Sequence, residues 1–321
     1  MIIETIRGEV TGEPLISLWQ HYPDVDMDPI KLAERTIAVQ RKFPSDIIKL
    51  SPQGRFPVVD FGCKIQAGTD LHGGSGSASC LSCIIKSPED WSQIEYVDPA
   101  DGELGRQLQF ISRVAKELPD TPKMMTIFAP TMVARKLSRN EFANHLFDSD
   151  EGKTIEEAIK TISRVVTDFG KACLEAGAEG LFIAVQEADI NTRPSSKEIR
   201  QVIGLNTSTC QELNKRAEFS VLHLHGEEVL FEDALQLLPA TAVNWHDSVG
   251  KPSLKEAPKS FSGGLFGGLS PDHLLEKKVS LEQQIELRNE VPLILAPECV
   301  LWQGTTDKTI EKIFQNYRKE K

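Results

Sequence analysis

Short β-prone runs and longer helical patterns alternate along the 321 residues, and eight such alternations predict an α/β protein built as a (β/α)8 TIM barrel. Two further observations favour this over an open, doubly wound sheet. The turn after the first strand, Trp19-Gln20-His21-Tyr22-Pro23, lacks the glycines that bring a backbone close to a pyrophosphate. No linker-like stretch interrupts the alternation, so residues 1–321 read as one domain.

Pro14–Leu18 is the first strand. Asp28–Phe43 follows as a helix, with Asp28 as N-cap and Pro29 at the first helical position, where its missing N–H costs nothing. Asp46–Leu50 is the second strand. Residues 51–100 then form an elaborated loop excursion, a small hairpin over one barrel end, holding strand-like Pro57–Ile65 and then the Gly/Ser-rich polar run Gly68–Ser79. Helix Gly102–Leu118 leads to the third strand, Lys123–Phe128. Helix Thr154–Ala176 stops at Gly177 and leads to the fourth strand, Glu179–Val185. Helix Lys197–Ala217 precedes the fifth strand, Phe219–Leu224, and helix Glu228–Leu238 the sixth, Thr241–Trp245. Ser260–Leu265 is a glycine-broken seventh strand. Helix Leu281–Asn289, strand Leu293–Ala296 and helix Thr306–Arg318 complete the pattern.

Charge and composition narrow the function. A formal charge of −11 disfavours nucleic acid and anionic membrane surfaces as partners. No window approaches the roughly 18 apolar residues of a membrane span. The start, Met1-Ile-Ile-Glu-Thr-Ile-Arg-Gly-Glu9, lacks the basic head and apolar centre of a secretory signal. The expectation is a cytoplasmic protein whose six cysteines are reduced.

In a barrel the chemistry sits where strands end and loops begin. The strand Phe219–Leu224 runs into His223-Leu224-His225-Gly226, and residues two apart on a strand face the same side. The last strand runs into Glu298-Cys299. Where these ends meet, two imidazoles and a thiolate offer a zinc site with an open fourth position, the arrangement of a catalytic rather than a structural zinc. His246 and Asp247 follow the sixth strand as candidates for a general base and its partner, although adjacent strand residues point opposite ways. Gln186 and Asn244 are expected to line the same pocket. Cys80-Leu-Ser-Cys83, with Cys63 and His72 upstream, reads as a structural zinc site, a redox pair or plain loop. Gly263–Gly268 reads as a flexible turn or a phosphate cradle, but no Lys-Ser/Thr pair follows it to make a P-loop. Arg55 and Lys64 either meet an acidic substrate or are solvated.

Four stretches together resemble the uroporphyrinogen decarboxylase superfamily. They are Pro14-Leu-Ile-Ser-Leu-Trp19-Gln-His21-Tyr22-Pro23, Gly177-Ala-Glu-Gly-Leu-Phe-Ile-Ala-Val-Gln186, His223-Leu-His225-Gly226 and Leu295-Ala-Pro-Glu-Cys299. The resemblance implies a single barrel with its site at the strand C-terminal ends, and often a homodimer. Its decarboxylase branch holds substrate carboxylates with two arginines in the opening motif, at positions that here are Trp19 and His21, and neither can form a guanidinium's two-pronged bond. That branch also places an acid after the second strand, where this chain has Leu50-Ser51-Pro52-Gln53. Its zinc branch, which moves methyl groups from a corrinoid-carrying partner protein to a small thiol, carries His-x-Cys after the fifth strand and Cys after the eighth. His223 and Cys299 match the outer two, and His225 stands in place of the middle cysteine. The resemblance thus implies a zinc-dependent methyltransferase-like enzyme with a small-molecule substrate. A porphyrinogen-type carboxy-lyase or a non-catalytic ligand- or corrinoid-binding barrel stands as the alternative.

Overall fold

The computed structural model describes residues 1–68, 77–193, 195–270 and 281–318. Its main sheet has seven parallel strands in the order β1 (Ile48–Leu50), β4 (Lys123–Phe128), β5 (Gly180–Val185), β6 (Phe219–Leu224), β7 (Ala242–Trp245), β8 (Gly264–Leu269) and β9 (Leu293–Pro297). Helices surround this curled sheet, giving a TIM-barrel-like α/β fold. The predicted first strand is reduced to one bridge, Ile16 to Leu295. Its backbone still reaches both sheet edges. Ser17 N donates to Leu295 O (2.9 Å) and Leu295 N to Leu15 O (2.9 Å), while Asp46 N on the β1 side donates to Ile16 O (2.7 Å).

The strands are buried on both faces, as parallel strands under helices must be. Alternate residues divide between two cores. Ile48, Leu50, Met125, Ile127, Leu181, Ile183, Val185, Leu222 and Leu224 pack with residues of the surrounding helices. Met124, Phe182, Phe219, Val221, Ala242, Phe266, Ile294 and Ala296 fill the inside with Trp19. Ile6 of α1 (Ile2–Ile6), a short helix that no sequence signal announced, plugs that inner core. Gly264 is required there, because a Cβ would lie 2.7 Å from the carbonyl oxygens of Thr5 and Ile6.

Several predicted boundaries move. α2 (Pro29–Lys42) forms as expected, with Asp28 accepting from Ile30 N (3.0 Å). Pro57–Ile65 is not one strand. Pro57 has no N–H for a ladder, and Phe56–Val58 forms a 3-10 turn. Only Lys64–Gln66 is extended, as β2, and it pairs antiparallel with β3 (Ser79–Ser82). Residues 69–76 of the polar run, His72 included, lie outside the described residues. α3 (Gly102–Glu117) matches its prediction closely. Two helices after β4 were not expected: α4 (Pro130–Leu137), with proline at its first position, and α5 (Phe142–Asp148). α6 (Gly152–Glu175) starts a little early and ends at Gly177, whose φ of 109° only glycine adopts freely. The predicted helix 197–217 breaks into α7 (Ser196–Gly204) and α8 (Thr207–Arg216). α9 (Phe231–Leu237), α10 (Glu282–Leu287) and α11 (Asp307–Tyr317) are shorter than predicted. The seventh predicted strand, Ser260–Leu265, lies mostly before β8, and Gly264–Gly268 is buried strand rather than an open turn. No helix among the described residues is long and apolar enough to cross a membrane.

Asp26, in the turn before α2, is fully buried, and neither carboxylate oxygen has a hydrogen-bond partner among the described residues. Burial, reinforced by Asp24, raises its pKa to about 7. Folding therefore takes up a proton between about pH 4 and 7, and stability falls as pH rises through that window. The Asp26→Asn chain is expected to gain about 1–2 kcal/mol over wild type at pH 8 and little at pH 4. Urea unfolding at both pH values checks this, and parallel curves for the two proteins would refute it.

Candidate metal centre

Strand periodicity aims the candidate residues at one point. In the sheet register Ala184 pairs with His223, His223 with Asn244, and Asn244 with Phe266. Phe266 and Asn244 face inward, so His223 does too, and His225 and His246 follow two residues further along the same faces. The end of β9 brings up Cys299. His223, His225, His246 and Cys299 each offer one donor atom, and the four atoms lie within 4.8 Å of one another. Cys299 Sγ is 3.6 Å from His225 Nδ1.

Asn244 organises this group. Its Nδ2 donates to Phe266 O (2.8 Å) and Pro297 O (3.1 Å), two carbonyls that only accept. Its Oδ1 therefore faces His223 Nδ1, 2.6 Å away, and must accept a proton from it. That fixes the His223 tautomer with Nε2 unprotonated, the arrangement by which an outer partner orients a metal-binding imidazole. Trp19 donates from Nε1 to Cys299 O, holding the backbone of the fourth donor. His246 Nε2 is buried without a partner among the described residues. Three imidazoles and a thiol with these properties fit a zinc ion, whose ligands are neutral histidine nitrogen and thiolate sulfur.

Electrostatics keep the imidazoles neutral. Burial lowers the His225 pKa to about 4, helped by His246, Lys136 and Arg135. Burial also takes His223 well below the ordinary range, with His225, His246 and Lys49 adding to it, and it lowers His246. The same burial pushes the Cys299 thiol up to about 11, opposed by Lys49. Lys49 is itself lowered to about 7 by desolvation, with its ammonium 4.4 Å from the Phe182 ring centre and 3.0 Å from Ser51 Oγ.

His223, His225, Cys299, Lys49 and Phe182 line a cavity of about 430 Å3 that also includes His21, Arg55, Ala78, Arg135, Lys136 and Gln186, while His246 stands behind this wall. His21 and Gln186 lie on its wall, whereas Asn244, expected to line it, is fully buried behind His223 and is not among the lining residues. Trp19 stands behind Cys299 instead of on the cavity wall. Asp247 is not brought to the group. Its carboxylate accepts from Gly268 N (2.9 Å) in a separate cleft beside Glu298, where burial and Glu298 raise its pKa to about 7. The sequence reading missed Arg135 and Lys136 because it missed α4. The Ala129-Pro130 step after β4, a proline poised to start a helix, was the available signal.

The fold and this centre define a class: a TIM-barrel-like α/β protein with a histidine/cysteine cluster at its strand C-terminal ends. The family model described as Uroporphyrinogen decarboxylase (URO-D) matches residues 17–319, and the chain belongs to that family. Among curated proteins nothing matches the sequence. A methyltransferase from Methanosarcina mazei is similar in structure, with a TM-score of 0.81 and 18% identity over 98% of this chain and 96% of that one. A putative vitamin-B12 independent methionine synthase from Listeria monocytogenes gives a TM-score of 0.57 and 12% identity, covering 95% of each chain. A B12-independent methionine synthase from a Shewanella species gives 0.54 and 11%, over 95% of this chain and 90% of that one. At these identities the likeness is one of fold.

Replacing Asn244 with Ala frees the His223 ring and removes the side-chain donor of two buried carbonyls. The expected outcome is a 10- to 100-fold weaker zinc affinity with the four donors intact. Competition with a chromophoric chelator measures it, and unchanged affinity would remove Asn244 from this role.

Proposed function

We propose that the chain is a zinc-dependent methyltransferase-like enzyme on a single (β/α)8 barrel spanning residues 1–321, activating a thiol or similar small acceptor. The observation that carries this reading is the convergence of His223, His225, His246 and Cys299 within 4.8 Å at the strand ends, beside a cavity large enough for a small molecule. His223, His225 and Cys299 are assigned as the zinc ligands. A bound zinc would stabilise the deprotonated form of an acceptor thiol or water in its open position.

The chain's own residues supply the rest. Asn244 and Trp19 hold two of the ligands in place. His246, neutral and with an unpartnered nitrogen, takes the acceptor's proton as general base. Asp247, predicted beside it, is bonded to Gly268 N and has no part in this scheme. The deprotonated acceptor then attacks a methyl carbon, and as the new bond forms the carbon–donor bond breaks and its electron pair leaves with the donor. By the family resemblance that donor is a corrinoid on a partner protein.

The lining of the same cavity carries Lys49, Arg55, Arg135 and Lys136. In a chain of net charge −11 this is a local concentration of positive charge. Burial lowers the pKa of both Lys49 and Lys136 to about 7, so an anion in the cavity would favour their charged forms. The acceptor is therefore assigned an acidic group. The same wall favours a second reading, a carboxy-lyase acting on a polycarboxylate, which would need no metal.

Two measurements test this. Elemental analysis of the purified protein is expected to show one equivalent less zinc in His223→Ala and in Cys299→Ser than in wild type, and equal zinc in all three would end the metal reading. With acidic thiols as acceptors, Lys136→Met is expected to raise KM about 10-fold or more while leaving zinc content unchanged. Turnover of a carboxylate substrate that survives complete removal of zinc would favour the lyase.

A further inference from the structure

A second sulfur cluster lies outside the strand-end site. Cys63, just before β2, and Cys80 and Cys83, in and after β3, place their sulfurs within 4.8 Å of one another. The structure pairs Cys80 with Cys83, and Cys63 stands beside that pair as a third sulfur. The antiparallel register, with Ile65 opposite Cys80 and a bulge between Lys64 and Ile65, brings the three together from positions far apart in sequence. Cys63 and Cys83 are buried, and Cys80 is half-buried.

We propose that the reduced trio binds a structural Zn2+ ion, separate from the catalytic centre. A tetrahedral zinc–thiolate site has sulfurs about 3.8 Å apart, set by Zn–S bonds of about 2.3 Å. Once reduced, the Cys80 and Cys83 sulfurs would move apart to reach that spacing, while Cys63 already lies within 4.8 Å of both. Thiolate-only donors select a soft or borderline cation over magnesium or calcium. Three thiolates leave the site at net −1, and cations stand nearby. Arg139 donates from Nη2 to Leu81 O (3.1 Å) within the Cys80–Cys83 turn, and the Arg55 charge acts on Cys63.

Loading begins with the Cys80–Cys83 disulfide and a small dithiol. The reductant gives up two hydrogens and becomes a disulfide, and the two cysteines become thiols. Three cysteine thiols then release three protons to solvent as three sulfur–zinc bonds form. A water molecule or an added thiol takes the fourth position.

The site would fasten a wall of the active cavity. The β2–β3 hairpin and the turn before it contribute Gly54, Arg55, Ser77 and Ala78 to the cavity lining. Cys83 Sγ lies 3.4 Å from Lys136 O, which sets the same sulfur cluster against α4. A zinc here would hold Arg55 and Lys136 in position from behind.

The test uses the full chain purified in a thiol reductant, in the His223→Ala/Cys299→Ser background, so that failure of the strand-end reading does not affect the result. One equivalent of zinc is expected to remain after desalting, and none once Cys80→Ser/Cys83→Ser is added. Stripping the background protein with a chelator and restoring zinc is expected to shield three thiols from a thiol reagent. This second measurement keeps all three cysteines and so does not depend on a variant's folding. The wild-type chain should give the same result with Cys299 added to the shielded set. Absence of zinc from the background protein, zinc unchanged by the double serine variant, or thiol reactivity indifferent to zinc would each overturn the proposal and leave the cysteines as a redox pair beside a packed thiol.

Discussion

One buried amide ties the candidate centre to the sheet. Asn244 is fully buried on β7 and bonds to the strands on either side and to one beyond: His223 on β6, Phe266 on β8 and Pro297 on β9. A buried amide left unpaired costs about 1–3 kcal/mol for each lost partner, so the three strands cannot shift without breaking these bonds. The same bonds set the proton on His223 Nδ1 and turn Nε2 toward the cluster. Sheet register and ligand orientation are thus one constraint. The backbone bonds of Leu15 and Ser17 to Leu295, and of Asp46 to Ile16, carry that constraint around to the other edge of the sheet.

The charge distribution follows from burial as much as from composition. The chain is acidic, with most carboxylates on its surface, yet the cavity wall carries two lysines and two arginines. Partly desolvated ammonium groups lose protons more readily, which is why Lys49 and Lys136 sit near neutrality instead of near 10. Glu187 is the nearby opposing acid. Its own pKa is raised by burial, and one oxygen is bonded to Thr131 Oγ1 (2.9 Å). A cavity built this way is poorly balanced when empty and better balanced around an anion.

Much of this was readable in the sequence where a short-range rule applied. The His-x-His spacing needed only the period of a strand, and the alternation of apolar runs gave the order of the sheet. Asp28 and Pro29 announced their helix because capping is local. Other features depended on contacts that no local pattern carries. His246 was read as a base candidate, but its place within reach of Cys299 follows from the curl of the sheet. Lys136 entered the cavity on a helix that the reading passed over. Gly264 and Gly267 looked like a loose turn because glycine-rich runs usually are. Their small size instead answers to neighbours that are distant in sequence: α1 under Gly264 and the Asp247 carboxylate beside Gly267. Asp247 was placed in the site by adjacency, yet consecutive strand residues face opposite ways, and its carboxylate went to the other side.

The donor set bears on which acceptor the centre suits. One thiolate and neutral imidazoles would leave a bound zinc at net +1, whereas two thiolates would leave it neutral. The more positive ion lowers the pKa of a bound thiol further, but the resulting thiolate is held more tightly and is a weaker nucleophile. An acceptor that brings its own negative charge supplies part of what the missing cysteine would have given. Lys49 pulls in the same direction, since its charge favours the Cys299 thiolate and so the metal-bound form. In the proposed centre, an imidazole at position 225 and the cationic residues of the same lining would therefore be related features. The first would raise the positive charge at a bound zinc, and the second would select a ligand able to offset it.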